Sequence, residues 1–542
     1  MNTIIKHAAK NKNRTWFHLL CQITLLAIVL LTAFGFVQPA YAANLNVNTT
    51  ADELNNDGDC SLREAIQAAN TNAAVDACVA GSGADIIFLP SGTYTINING
   101  TSEDANVTGD FDVTAAETLV IIGSGSSTTI IDGGFGDRVL HLTNAGGTLQ
   151  LVSLTVQSGL TFDEPGGGVL SWGTLVLNHV NVQQNGVLGS SSSAIGGGLC
   201  VGCGTGTGYL TMYDSVIRNN SAKIAGGIFT NVIALIDRSS IISNTATLNP
   251  GGIANYGILT IYNSLVSDNT ANALGSSGIF NQGTLTLADS TISHNQADPG
   301  FTGIANIGTT ITSNTIIANN TPANCANTSS FSSQGYNLSS DNSCLAFLNS
   351  TSDINNTDPM LGTLQTNGVI YFRPLLAGSP AIDTGNNASC PTTDQRGIAR
   401  PQGGGCDIGA FEYVIPFEKL APVDAGVGVS LSPTLSWQPS SGATSYEYCY
   451  SSAPGPCTKW NSVGTNTSVT LSGLAPNYTY YWQVRAVTGS DTVEANTGTW
   501  WLFTTTTTAA CTWPAYTPPA SATFGDVPIT ASHWNWVERL AN

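Results

Sequence analysis

Glu53, Asn55, Asp57, Gly58, Asp59 and Glu64 carry the spacing of a twelve-residue cation loop. Oxygen-bearing side chains at positions 1, 3 and 5, a glycine at 6 and a carboxylate at 12 wrap a hard cation. Position 1 here is Glu rather than Asp, and Ser61 with Glu64 also spells a capping box opening a helix that runs to about Asn70. The capping box takes Glu64, so no metal is assigned, and calcium at Glu53, Asn55, Asp57, Asp59 and Glu64 is the alternative. Cys200-Val-Gly-Cys203 has the spacing of a redox or zinc motif. With no second C-x-x-C and no His-x-His nearby, it reads as a staple in a loop. His179, Asp214, Arg238 and Asp289 hold one position of an internal repeat. Glycoside hydrolysis needs two carboxylates clustered on one face. The units between Asp214 and Asp289 lack one, so these read as solvent-facing polar residues. No catalytic residue is assigned.

The repeat positions all of these. Seven segments, from GTLQLVSLTVQSG at Gly147 to GTTITSNTIIANN at Gly308, start 24 to 26 residues apart, except for one interval of 35. A period in the twenties marks a solenoid whose units bury their apolar faces against their neighbours. Apolar residues alternate within a unit, as at Leu175 and Leu177, then break phase before Val180 and Val182. Alternation predicts strands and the break predicts a corner. A third strand comes from stretches such as GGGVLSW (166–172), giving three strands per coil and a right-handed parallel β-helix over about 44–413. Leu175, Leu210, Leu259 and Leu285 share the third repeat position and are expected in one interior column. Asn185, Asn220, Asn244, Asn269, Asn295 and Asn320 close their units. At a strand spacing of about 4.8 Å they can form an amide ladder, with exposed turn formers as the alternative reading.

Composition limits the function. Lys6, Lys10, Lys12 and Arg14 precede an apolar run, Leu19 to Phe36, and an Ala-Tyr-Ala site ending at Ala42. This is the pattern of a secretory signal over 1–42, and no second membrane-length apolar stretch follows it. Removing those four from 16 basic residues leaves 12 against 35 acidic ones. Nucleic-acid binding through phosphate neutralisation is excluded. In an exported chain the cysteines read as local disulfides: Cys60/Cys78, Cys200/Cys203, Cys325/Cys344, Cys390/Cys406 and Cys449/Cys457, leaving Cys511 over. A monomer is expected.

Several segments resemble known families. DGDCSLREAIQAAN (57–70), followed by DIIFLP (85–90), LVIIGSGSSTTIIDGG (119–134) and DRVL (137–140), is similar to the CSLREA domain of exported bacterial proteins. That resemblance implies an N-terminal cap and first coils over 43–146, ahead of the repeats at 147–320. DPMLGTLQTNG (358–368), RPLLAGSPAIDTG (373–385) and DQRGIARPQGGGCDIGAFEY (394–413) resemble a choice-of-anchor Q domain, which implies closing coils over 321–413. In that setting Asp383, Asp394, Asp407 and Glu412, with Arg396 and Arg400, read as buried ion pairs and turn hydrogen bonds of the final coils. Residues 416–505 resemble a fibronectin type III β-sandwich, with Leu435-Ser-Trp437 on an early strand and Tyr480 as the tyrosine whose hydroxyl meets nearby backbone. A Thr/Pro-rich linker (506–523) leads to Phe524 to Asn542, which looks like the first helix of an S-layer homology module, cut short.

The fold class expected is therefore all-β, a parallel β-helix followed by a sandwich. Polygalacturonases share the helix, but their G-D-D, G-H-G and R-I-K lines are missing, and the one N-T-D (356–358) lies outside the repeats. Pectate lyases need a basic residue beside calcium, and apart from histidine the repeats offer only Arg218, Lys223 and Arg238. The expected function is a non-enzymatic secreted or cell-surface protein of bacteria, adhesive or structural, with an extracellular glycan or cell-wall polymer as candidate partner. Tyr213 and Tyr262, at one repeat position, are the aromatic candidates for that contact. A polysaccharide lyase or hydrolase is the alternative.

Overall fold

The computed structural model describes residues 42–507, apart from 205–206, 273–275, 298–301, 415, 441, 454, 456–458 and 489–490, together with 523–524 and 527–528. The expected signal, Cys457, Cys511, most of the linker and nearly all of the last segment lie outside the described residues. No helix among the described residues is long and apolar enough to cross a membrane. The chain divides near residue 415 into two compact units.

The first unit is a parallel β-solenoid of about eight turns. Three long sheets of 11, 10 and 9 strands form its faces. A fourth, six-stranded sheet of short strands, from Leu160–Phe162 to Gln296–Ala297, adds to the three strands per coil expected from sequence. Leu149, Leu175, Leu210, Ala234, Leu259 and Leu285 pair in register as one column, and all are buried. The phase break has a backbone cause. His179, Asp214, Arg238, Asn263, Asp289 and Asn314 each turn the corner with φ between 45° and 56°. That left-handed conformation suits Asn and Asp best among residues with a side chain.

The closing asparagines form the ladder. Each side-chain amide donates to the carbonyl oxygen of the next, from Asn185 to Asn220 (3.0 Å), Asn244, Asn269, Asn295 and Asn320 (2.8 Å for the last). The left-handed residue is the one before each of them, Gln184 through Asn319. The ladder also explains the second glycine of each pair, since a Cβ on Gly198 would lie 2.9 Å from the Asn220 amide nitrogen, while a Cβ on Gly197 before it would meet backbone carbonyls of the next coil. A second ladder, Asn255, Asn281, Asn306 and Asn327, runs at 2.7 to 2.8 Å along the opposite corner.

Both ends of the apolar core are covered. The helix Leu62–Thr71 opens on the capping box formed by Ser61 and Glu64, and its Leu62, Ala65, Ile66 and Ala69 join the core of the first coils. At the far end Leu348 and the Cys325–Cys344 disulfide close it, with Phe347 stacked on Phe331. Of the closing coils expected over 321–413, Ala323–Asn327, Ser330–Ser333 and Leu338–Ser339 do continue the sheets, and the expectation is corrected for 358–413. That segment turns back and lies as a strap along the outside of one sheet. Its Ile370 packs on Val216, Ile242 and Leu265, while Phe372, Leu375 and Ile408 pack with Ile316 and Ala318. Arg218 donates to the Tyr371 hydroxyl, Arg373 pairs with Asp268, and Asn314 accepts from the Asn386 backbone. The cause is in the strands. At the outward positions where an earlier coil places Asn181 and Gln183, these coils place Val216, Ile242, Leu265 and Ile316 among polar neighbours, and apolar side chains so placed need a cover.

In the second unit a sheet of three strands faces one built on the long strand Thr479–Thr488, apart from a separate pair, Thr523–Phe524 with Val527–Pro528. The two facing sheets share a core of Leu435, Trp437, Trp482, Val484 and Phe503. The Tyr480 hydroxyl accepts from the Ala475 backbone at 3.0 Å, the contact expected for it. Lys419 is buried there, donating to Gln483 and the Thr499 carbonyl, and burial pushes its ammonium down to about 8.

Leu259→Asp should place an unpaired charge inside the column and cost about 3–5 kcal/mol. Thr260→Asp, one residue on and facing outward, should cost less than about 1 kcal/mol. Denaturant melts of the two variants check the register, and equal losses would contradict it.

Candidate functional site

Around the N-terminal helix the structure assembles carboxylates in two overlapping groups, Glu53 with Asp57 and Asp59, and Asp59 with Glu64 and Asp76. The single-loop ligand set is not formed. Both Glu64 oxygens are taken, one by the Ser61 backbone N–H and one by that of Asn55, each at 3.0 Å. The Asn55 amide donates to Glu53 and Asp57. Asp76, absent from the sequence expectation, is returned to the cluster by the Cys60–Cys78 disulfide and accepts from the backbone of Asp57 and Gly58. Burial raises the Glu53 and Asp59 carboxyls, with neighbouring carboxylates adding to it. The donors are hard oxygens throughout, the set that calcium takes.

Four of the five expected disulfides are formed by described residues: Cys60–Cys78, Cys200–Cys203, Cys325–Cys344 and Cys390–Cys406. Cys449 is disulfide-bonded as well. Cys200 corrects its expected place. It stands in the strand Leu199–Val201, in register between Leu170 and Phe229, and only Cys203 lies in the turn that follows. Bonded and packed with Leu170 and Trp172, this pair is a staple.

The repeat position of His179, Asp214, Arg238 and Asp289 is the left-handed corner itself. His179 is exposed, and Asp214 forms a two-point ion pair with Arg238. Asp289 corrects the solvent-facing expectation. It is 3% exposed because the strap covers it, and it accepts from the Asn314 amide at 2.6 Å. The three basic residues of the repeats are also engaged: Arg238 here, Arg218 on Gln183 and Tyr371, and Lys223 on the backbone of Ser190 and Ser191. The anchor-like acidic residues are internal to the strap. Asp394 pairs with Arg396, which lies 3.6 Å over the Phe411 ring, and Arg400 faces Glu412 while donating to the carbonyls of Asp407 and Gly409. Asp383 accepts from Gly404 and Gly405.

Tyr213 and Tyr262 do share a column, but Asp237 stands between them and all three are half-buried. The aromatic surface lies at another corner. Phe229 stacks on Tyr256 at 5.1 Å between centroids, and Tyr256 lies 6.0 Å from Phe280. In the same coils Tyr209, Ile233 and Ile258 stand in register, each about half exposed. Sequence reading passed over these residues because Tyr256 sits in a turn while its two neighbours sit in strands, so no single repeat position contains all three. A groove lined by Ser102, Asp137, Thr161, Phe162, Glu164 and Leu188 lies beside the first coils.

Burial raises three carboxyls near the strap: Asp289 and Asp407 to about 6 and Glu412 to about 7. A raised folded-state value means these groups favour folding below pH ~4 and lose that contribution as pH climbs through 6 to 7. Thermal melts should therefore fall across that window. Asp289→Asn, which keeps the oxygen facing Asn314 and removes the charge, should reduce the fall by up to about 3 kcal/mol. An unchanged slope would contradict the assigned burial.

Comparison of the chain with protein-family profiles, curated proteins and solved structures finds no match in any of the three.

Proposed function

We propose that the chain is an exported, non-enzymatic protein of the bacterial cell surface, a right-handed β-helical rod that adheres to an extended extracellular glycan. The observation that carries the reading is the corner formed by Phe229, Tyr256 and Phe280, extended by the exposed row Tyr209, Ile233 and Ile258. Flat apolar side chains in line offer a surface to the C–H faces of successive sugar rings, and an exposed apolar patch of this kind marks a binding surface. The polysaccharide-enzyme alternative is disfavoured by the engagement of Asp214, Asp289, Arg218 and Arg238 in structural contacts. The CSLREA-like, choice-of-anchor Q-like, fibronectin-like and S-layer-like resemblances support export and surface attachment. The two-sheet second unit and the Tyr480 contact agree with a fibronectin type III reading of 416–505.

A glycan array followed by titration of the best binders tests this. Tyr256→Ala should weaken binding roughly tenfold, or about 1.4 kcal/mol, with no release of reducing or unsaturated ends. Binding unchanged by Tyr256→Ala would remove the corner from the proposal. Product release abolished by Asp214→Asn or Asp289→Asn would replace adhesion with the enzyme alternative.

A further inference from the structure

Asp112 and His141 are register partners on neighbouring strands, Phe111–Val113 and Leu140–Leu142. Their flanking residues Phe111, Val113, Leu140 and Leu142 belong to the core, so the pair faces outward, at the head of a column that continues Leu170, Cys200 and Phe229. Every later member of that column is apolar or bonded. These two are polar, and yet Asp112 is 0% and His141 2% exposed, because the loop before Phe111 folds over them. Asn106 of that loop donates its backbone N–H to one Asp112 oxygen at 3.0 Å. The other Asp112 oxygen makes no hydrogen bond, and neither does either His141 ring nitrogen.

Burying such groups with no well-formed hydrogen bond between them is costly. The two guanidiniums buried in this region are already committed, Arg63 to Asp52 and Arg138 to Asp110 and Glu164. Asp104, on the covering loop, completes the arrangement. Its carboxylate oxygen lies 3.2 Å from His141 Nδ1, and the free Asp112 oxygen lies 3.5 Å from the same nitrogen. Tetrahedral ligands about 2.1 Å from a zinc ion stand about 3.4 Å apart, so these are the edge lengths of a metal site. The imidazole is held on its other side by Trp172, edge to face at 4.7 Å.

The geometry points to a site for a divalent first-row transition cation, Zn2+ by preference, held by Asp104, Asp112 and His141 and fastening the 96–110 loop to the first coils. One imidazole and two carboxylates select a borderline cation over calcium, which takes oxygen ligands. Asp104, with its side chain 59% exposed, leaves a coordination position open to water. The site is separate from the all-oxygen cluster around Glu53 and from the aromatic corner, so it stands whether or not the adhesive reading does.

The full chain, stripped with a chelator, is titrated calorimetrically with Zn2+ and separately with Co2+ while visible absorption is followed. One site with a Kd of about 10 µM or tighter is expected, about 7 kcal/mol. Asp104→Asn should weaken it at least tenfold while lowering the melting temperature of the metal-free chain little, because Asp104 is exposed and Asn keeps an oxygen facing His141. His141→Gln should abolish the Co2+ band, and added Zn2+ should protect the 96–110 loop from proteolysis in the parent chain only. Absence of Zn2+ binding would leave an imidazolium clamped by two carboxylates and overturn the proposal. Binding that survives Asp104→Asn, or that prefers Ca2+ and is lost in Asp57→Asn, would also overturn it.

Discussion

Each coil must set a buried amide one strand spacing from the next, in the same register, over five successive steps. An Asn side chain meets that demand because its amide both donates and accepts, so it can be bonded on two sides at once. The ladder oxygens also accept backbone N–H groups from the preceding coil, as Asn220 does from Asn185. Slipping the register by one residue would strand every such group in a dry interior and turn the Leu column outward. The remaining geometry follows from this constraint. Glycines precede the ladder because a Cβ would strike it, and the corners use residues that tolerate positive φ. The longest coil keeps its strands Thr174–Asn178, Asn181–Gln183 and Leu199–Val201 aligned with their neighbours and places its extra residues in the stretches before Leu199 and after Val201.

Features that repeat were legible in the sequence. The period, the Leu column, the closing asparagines and the capping box each depend on local pattern, and the cysteine pairs depend on proximity along the chain. What escaped depended on where distant segments land. The strap was unreadable as a path because its own sequence lacks periodicity. Its footprint was nonetheless written in Ile242, Leu265 and Ile316, apolar at positions where Asn181 and Gln183 are polar. The turn from left-handed Asp289 to a buried carboxylate likewise needed the strap to be placed first. Asp76 entered the acidic cluster through a disulfide, and Asp112 met His141 through strand pairing 29 residues apart in the chain. The second Asn ladder was missed because Asn255 and Asn281 sit within GGIANYG-type stretches that read as strand entries.

Burial has two sources in the solenoid. Inward residues are dry because coils stack, and their environment is the same in each coil. Outward residues are dry only where another segment covers them, and there the chemistry becomes individual. Arg218, Asp268 and Thr291 each meet a different strap atom, although they occupy repeated positions. Repeats of one sequence thus acquire distinct surroundings, and the raised carboxyls and buried ion pairs gather where the periodic coils meet an irregular segment, the 96–110 loop at one place and the strap at the other.

The path of the strap bears on how the rod comes apart. In a bare stack each coil holds only its two neighbours, so loss of order can creep inward from an end, one coil at a time. Here a single stretch of chain is bonded to the coils of Arg218, Ser240, Asp268, Thr291 and Asn314 together. Peeling the last coil under load therefore strains contacts several coils upstream before those coils themselves open. The strap makes this part of the rod yield as a block, as a splint lashed along a stack of rings would.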